Sequence, residues 1–175
     1  MKKIAIFASG GGSNFKAIYE KIKSGDIPAE ISIVVSNNPN CGAINFAKKN
    51  TLHTFIVNKN RYPNSDTRNM ILKQNLLNSD VNLICLAGYM KIIPENIVNH
   101  FKNCILNVHP ALLPDFGGKG FYGMKVHEAV IQSNVAVSGA TVHFVDNKYD
   151  HGPIVAKEKV IIEEDETAFS LAKKV

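Results

Sequence analysis

Short runs of β-branched and apolar residues alternate along the chain with longer stretches whose apolar positions recur every three or four residues. The short runs predict strands over Lys3–Ala8, Glu30–Ser36, His53–Val57, Asn82–Leu86, Cys104–Val108, Gly139–Val145 and Ile154–Ile162. The longer stretches predict helices over Asn14–Ser24, Ala43–Asn50, Ser65–Asn78, Glu95–His100, Met124–Ser133 and from Thr167 onward. Such alternation argues for a parallel sheet covered by helices. The first five strands are expected to run parallel, and the last two, joined by the turn Asp146–Pro153, to pair as an antiparallel hairpin. No repeat, low-complexity tract or linker interrupts the pattern, so one domain over 1–175 is expected. The fold class that results is α/β, with a Rossmann-like, mostly parallel sheet, helices on both faces and an antiparallel C-terminal hairpin.

Composition narrows the picture little: 45% of the 175 residues are hydrophobic and 20% charged, ordinary for a globular protein. No stretch approaches the roughly 18 apolar residues of a membrane span. The run Ile4–Ala8 behind Lys2-Lys3 is shorter than the roughly 7–15 apolar residues of a signal core. The formal charge is +5, but the lysines are scattered, only Lys2-Lys3, Lys48-Lys49 and Lys173-Lys174 being adjacent. A nucleic-acid surface would gather them on one face, so a small anionic ligand is the better expectation. Cys85 and Cys104 sit in apolar, strand-like runs, which reads as buried reduced thiols and a cytoplasmic setting. No partner beyond small molecules is implied, and the chain is expected to be a monomer or homodimer.

The first strand runs into Ser9-Gly10-Gly11-Gly12-Ser13-Asn14 ahead of a helix. Successive glycines let backbone amides approach an anion, and the helix start adds unpaired N–H groups and the positive end of its dipole. Ser13 or Asn14 is suited both to cap the helix and to donate to a phosphate. Two nucleotide motifs fail here. A dinucleotide fingerprint wants glycine where Phe15 stands and an acid where the second strand ends Ser36-Asn37-Asn38. A P-loop wants Gly-Lys-Ser/Thr, and Gly12-Ser13-Asn14 is not that. A site for one phosphate group remains, against the bland alternative of a plain tight turn.

The fifth strand ends Leu106-Asn107-Val108-His109-Pro110. Asn107 and His109 are two apart and share a face, at the carboxyl end where open α/β sheets place ligands. His143 lies on the sixth strand and Asp150 in the turn after it. A turn acid is usually a cap or a solvated group, so Asp150 matters only if the turn brings it beside His109. A metal bound by His109, His143, Asp150 and His151 stays formally open, but no close His-x-x-x-His or Cys-x-x-Cys spacing supports one. An imidazole and an amide suit a carbonyl oxygen gaining negative charge, and a carboxylate suits the proton that an attacking amine sheds. No Ser or Cys stands where a nucleophile belongs, so direct acyl or one-carbon transfer to an amine fits better than a covalent enzyme intermediate.

With these residues in view the sequence resembles the folate-dependent phosphoribosylglycinamide formyltransferases (glycinamide ribonucleotide transformylases) over essentially its whole length. The segments that carry the likeness are Ser9–Asn14, Leu86-Ala87-Gly88-Tyr89-Met90-Lys91-Ile92-Ile93, Leu106–Pro114, Gly139–Val145 and Asp150-His151-Gly152-Pro153. The resemblance implies transfer of the formyl group of 10-formyltetrahydrofolate to the amine of glycinamide ribonucleotide, in purine synthesis and without a metal. By it Asn107, His109 and Asp150 match the family's catalytic trio, and Gly10, Gly11, Gly12, Ser13 and Asn14 its phosphate clamp. Gly88 and Pro110 match further substrate contacts. Leu86, Tyr89, Met90, Lys91, Ile92, Ile93, Val98 and His143 match the wall that holds the folate; ordinary core is the competing reading of the apolar ones.

Three departures stand out. Gly117-Gly118 replaces the family's Pro-Gly after Phe116, which is expected to loosen that loop. His151 replaces the first glycine of Asp-Gly-Gly-Pro, and if that position needs a positive φ, His adopts it more readily than a β-branched residue. The chain ends at Val175 within a helix that the family continues and that adds to the substrate site. The middle motifs are shared in part by methionyl-tRNA formyltransferases and formyltetrahydrofolate deformylases. A deformylase has no use for a phosphate clamp, and a tRNA formyltransferase wants a second, nucleic-acid-binding domain for which 175 residues leave no room. A folate- or nucleotide-binding module without catalysis is the rival of another class.

Overall fold

A computed structural model describes all residues, Met1–Val175. Every expected strand and helix is present, and the chain forms two compact units, Met1–Ile105 and Leu106–Val175. The fold class is the one expected, an α/β fold of seven strands and six helices, mostly parallel with antiparallel strands at its C-terminal end.

The first unit holds β1 (Lys2–Phe7), α1 (Ser13–Lys23), β2 (Ala29–Ser36), α2 (Gly42–Lys49), β3 (Thr54–Ile56), α3 (Ser65–Asn78), β4 (Leu83–Leu86) and α4 (Glu95–His100). Its strands lie in the order β3-β2-β1-β4 and are parallel. Ile4, Ile6 and Ala8 pack with Phe15, Ile18, Tyr19 and Ile22 of α1 and with Ala43, Ile44 and Ala47 of α2. The intervening Ala5 and Phe7 are equally buried, so β1 is covered on both faces. That double burial is why β1 reads as an unbroken apolar run rather than an alternating one. Edge-to-face contacts of Phe46 with Phe15 and Tyr19 lock α1 to α2, and the Asn64 side chain caps α3 by accepting from Thr67 N–H at 2.8 Å.

The strand order reverses beside β1. From β1 the chain moves outward to β2 and β3, then returns past β1 to β4. The carboxyl ends of β1 and β4 therefore flank a topological switch point, the place where open α/β sheets bind ligands. The loops that leave these two ends are Ser9–Asn14 and the segment beginning at Gly88.

The second unit contains β5 (Ile105–His109, whose first residue belongs to the first unit), α5 (Met124–Gln132), β6 (Val137–Phe144), β7 (Ile154–Ile161) and α6 (Ala168–Lys174). Both β5–β6 and β6–β7 are antiparallel. β6 starts at Val137, two residues earlier than its sequence suggests, because Val137 and Ser138 pair with Ile161 and Val160 of the hairpin partner. Leu171 of α6 is fully buried with Ala111 and with Val126 and Val130 of α5. Thr167 and Ser170 form a capping box at the start of α6. β7 is exposed along most of its length, and its Lys157-Glu158-Lys159 run discourages pairing with other chains.

Candidate active site

In the second unit the β5–β6 register places Asn107 opposite His143 and His109 opposite Thr141. The turn after β6 then returns Asp150 to the same pair of strands. Asn107 Nδ2 lies 3.0 Å from His143 Nε2 and 3.3 Å from Asp150 Oδ1. Asp150 Oδ2 lies 3.5 Å from His109 Nδ1 and accepts the Gly118 amide N–H at 3.0 Å. The sequence-derived trio of Asn107, His109 and Asp150 is thus one contiguous cluster, and His143 belongs to it. The resemblance set His143 with the folate contacts; here it is 2% exposed and bound to Asn107 and Asp150.

Tautomers follow from what each ring nitrogen faces. The Phe144 carbonyl, 2.8 Å from His143 Nδ1, only accepts, so Nδ1 carries a proton. In the neutral ring His143 accepts at Nε2 from Asn107, whose second amide hydrogen goes to Asp150; in the protonated ring Nε2 carries a hydrogen and donates to Asp150. Likewise the Phe116 carbonyl, 2.8 Å from His109 Nε2, fixes the proton there and leaves Nδ1 toward Asp150. Phe116 reaches this place with a φ of 55°.

Burial is the largest influence on all three titrating groups, with different outcomes. It pushes the His109 pKa below its ordinary value, outweighing the opposite pull of Asp150 and of the Phe116 carbonyl. On His143 burial also opposes charge, but the hydrogen bond with Asp150, the Phe144 carbonyl and the carboxylates of Asp150 and Asp146 prevail and raise it. Burial alone would raise Asp150; the hydrogen bonds from His143 and Gly118 and the two imidazoles hold the carboxyl below its ordinary value. The site therefore pairs an ionised carboxylate with a neutral His109 whose free nitrogen faces it. His127 of α5 adds a third imidazole, buried with no partner on Nδ1, its pKa lowered first by burial and then by His109.

Two departures from the family pattern have definite surroundings. Gly117 stands where a Cβ would meet Leu113 Cδ2, and the next residue's amide holds Asp150. The positive φ in the hairpin turn falls on Asp150, at 49°, not on His151. His151 instead sits in the open, its Nδ1 2.8 Å from Asp146 Oδ2, while Asp146 Oδ1 accepts the Lys148 amide at 2.8 Å. Asp146 thereby ties both ends of the turn that presents Asp150. No group of three or more His, Cys, Asp or Glu has the geometry to hold a metal ion.

In the first unit the glycine loop leaves β1 at Ser9. The helix cap is neither Ser13 nor Asn14, as the sequence suggested, but Gly12, with φ 77° and no side-chain cap. A Cβ there would meet Ala43 Cβ at 2.9 Å, so both the conformation and the close approach to α2 require glycine. A Cβ on Gly10 or Gly11 would meet nothing within 4 Å, which leaves their surface open. The side chains of Ser13 and Asn14, free of capping duty, stand at the first turn of α1.

The Leu86–Val98 segment divides in two. Leu86, Ile93 and Val98 are core, whereas Met90 and Ile92 are more than half exposed, 51% and 58%. Two large apolar side chains in the open beside a glycine loop suit a flat ligand better than a packing role. Tyr89 stands edge-on to Phe7 and is pushed by burial to a pKa of about 12, so its hydroxyl stays protonated. Sequence reasoning missed the Ser9 side chain, which bonds to the Met90 amide, and the Gly118 amide on Asp150; neither leaves a local signal, since each partner is distant in sequence.

A parallel sheet that runs into a glycine loop in the first unit, and a buried Asn–His–Asp cluster at the end of a strand in the second, place the chain among α/β proteins with polar groups gathered at strand ends. The chain belongs to the formyl transferase family, which it matches over residues 2–175. It is 42% identical over 174 residues to a chloroplastic phosphoribosylglycinamide formyltransferase of Vigna unguiculata, covering 99% of this chain and 56% of the relative. It is 34% identical over 175 residues to the phosphoribosylglycinamide formyltransferase of Bacillus subtilis, covering 100% of this chain and 87% of that protein. The crystal structure of phosphoribosylglycinamide formyltransferase from Bacillus halodurans superposes with a TM-score of 0.90 at 34% identity, covering 99% of this chain and 87% of that one. The chain thus spans a little over half the length of the plant relative. No helix is long and apolar enough to cross a membrane.

Proposed function

We propose that the protein transfers the formyl group of 10-formyltetrahydrofolate to the amine of glycinamide ribonucleotide. The observation that carries this reading is the Asn107–His109–Asp150 cluster itself: an amide donor, a neutral imidazole and an ionised carboxylate, with no side-chain nucleophile among them. Its relatives bear the corresponding name.

The amine nitrogen attacks the formyl carbon, a C–N bond forms and the carbonyl electrons move onto oxygen. That oxyanion takes a hydrogen of Asn107 Nδ2, and the 3.3 Å bond to Asp150 is the longer of its two and the easier to surrender. The proton shed by the amine passes to the Asp150–His109 pair, whose His109 Nδ1 is free to receive it, and the imidazolium then adds its charge to the stabilisation of the oxyanion. Collapse breaks the bond from the formyl carbon to the folate nitrogen, and that nitrogen recovers the proton. Tetrahydrofolate and the N-formylated ribonucleotide result, with no covalent enzyme intermediate.

Gly10–Asn14 holds the ribonucleotide phosphate by backbone amides and the Ser13 and Asn14 side chains, and Gly88 and Pro110 contribute further substrate contacts. Met90 and Ile92 offer apolar surface to the folate ring beside Tyr89 and Lys91, and the buried Leu86, Ile93 and Val98 back that segment from the core. The three cysteines are unpaired, which suits a reducing compartment such as the cytoplasm. The decisive assay follows tetrahydrofolate release from formyl folate with and without glycinamide ribonucleotide. Release that depends on the ribonucleotide, with formyl recovered on its amine, is expected. Equal release without it makes the protein a hydrolase, and no release with tight binding of both ligands makes it a binding module.

A further inference from the structure

Ser9 is the last residue before the glycines, is 8% exposed, and takes part in neither the clamp nor the wall as assigned above. Its backbone N–H donates to the Gly88 carbonyl at 3.0 Å, and its Oγ accepts the Met90 N–H at 2.9 Å. The same Oγ donates to Asn37 Oδ1 beyond the end of β2, and the Asn37 carbonyl accepts from Asn58 Nδ2 at 3.1 Å beyond β3. One hydroxyl therefore orders the loops that follow β1, β2 and β4, and the Asn37 backbone extends the chain of bonds to the segment after β3. All of its hydrogen-bonding capacity that the structure uses goes to loops at the carboxyl edge. Gly10, directly after it, is fastened through its carbonyl to the Ala43 amide at 3.0 Å. Nothing else joins Gly10–Asn14 to Gly88–Met90 by hydrogen bonds.

We propose that Ser9 is a positioning residue that couples the two ligand subsites, so that phosphate held at Gly10–Asn14 orders the Met90 segment and folate held at that segment orders the loop. The inference rests on the assignment of those two segments to the ribonucleotide and the folate. A staple of this kind acts through two contiguous elements that must settle together, and linkage makes its effect reciprocal: each ligand tightens the other by the same factor.

The test measures tetrahydrofolate affinity by calorimetry with and without saturating glycinamide ribonucleotide, and the converse, in the natural chain, Ser9→Ala and Ser9→Thr. The natural chain should show a ratio of about fivefold or more, within the usual range of coupling. Ser9→Ala should bring it within about twofold of one, and Ser9→Thr, which keeps the hydroxyl, should restore it. Hydrogen exchange supplies a readout that a merely structural residue would not move. Ribonucleotide should slow exchange at Met90 in the natural chain and leave it unchanged in Ser9→Ala. A natural-chain ratio of one, or a ratio kept in folded Ser9→Ala, overturns the coupling and leaves the proposed function standing. Failure of the natural chain to bind either ligand defeats the proposed function instead, and the coupling with it. If Ser9→Ala does not fold, Asn37→Ala, which frees the hydroxyl to turn from Met90, should lower the ratio in the same direction, and an unchanged ratio again overturns the proposal.

Discussion

Asp150 shows how much a single side chain depends on its backbone. Its φ of 49° lies in the left-handed region, which Asp and Asn tolerate better than most residues. Asp150→Asn is therefore a clean probe: it keeps the turn and can still accept from Gly118, but it removes the charge and the capacity to take a proton. Turnover should fall by about 10²-fold or more, the scale of lost general-base catalysis, with both ligands still bound. Steady-state kinetics beside calorimetry decide this, and near-normal turnover would remove Asp150 from the proton path. His109 supports a second prediction, on stability. Its folded pKa is lowered from 6.5, so below pH 6.5 the unfolded chain takes up a proton that the folded chain refuses. The contribution is complete above that pH and is lost as pH falls toward the folded value. His127 acts in the same sense and His143, raised, in the opposite one, contributing below 6.5 and losing its effect as pH rises through its folded value. Urea midpoints at pH 7 and pH 5 should accordingly lie closer together in His109→Gln than in the natural chain. A difference identical in the two proteins would show that His109 titrates alike folded and unfolded.

At the scale of elements, the glycine loop separates two jobs that its sequence presents as one. Gly12 turns the chain into α1 and lies against Ala43, whereas Gly10 and Gly11 have open space where a Cβ would stand. Gly12→Ala forces a contact of 2.9 Å and a strained φ, and should cost about 1–3 kcal/mol of stability. Gly11→Ala meets no such contact and should leave the midpoint within about 0.5 kcal/mol. Its methyl group nonetheless stands on the surface proposed for the phosphate, and ribonucleotide affinity should drop about tenfold while folate affinity stays within twofold, because backbone amides must approach the anion closely. Equal loss of both ligands in a Gly11→Ala protein of normal stability would move the phosphate elsewhere. The hairpin turn carries a parallel lesson. Asp146 grips the Lys148 amide and the His151 ring, so the turn that presents Asp150 is braced from outside the Asn107–His109–Asp150 cluster.

The chain carries a formal net charge of +5 with its lysines scattered along the sequence, a balance that favours small anions in general. Ribonucleotide association should be faster at low ionic strength. Raising salt from about 10 mM to about 150 mM shortens the screening length from about 30 Å to about 8 Å and should slow binding severalfold while turnover at saturation is unchanged. Stopped-flow binding across that range tests it, and a salt-independent rate constant would confine recognition to the glycine loop itself.

Much of this was legible in the amino-acid sequence, because it rests on short-range regularities. Buried parallel strands are continuous apolar runs and amphipathic helices repeat every 3.6 residues, so every element could be read locally to within two residues. Ser9–Asn14 shows the glycines an anion site needs, and Asn107-Val108-His109-Pro110 shows a polar pair sharing a strand face where proline stops the strand. Tertiary structure alone decided the rest. That β6 pairs with β5 in a register setting His143 against Asn107 depends on a partner 36 residues away, and no local pattern encodes it. Asp150 reaches Asn107 across 43 residues, through a left-handed backbone and a Gly118 amide whose hydrogen bond is invisible until the loop closes. The cap moved from Ser13 or Asn14 to Gly12 because packing against Ala43 left room for nothing larger, and Ser9 acquired its bonds only when three loops met at one edge. Propensity and periodicity act over a few residues and so can be read along the chain. Registers, loop closures and protonation states are set by atoms that only folding brings together.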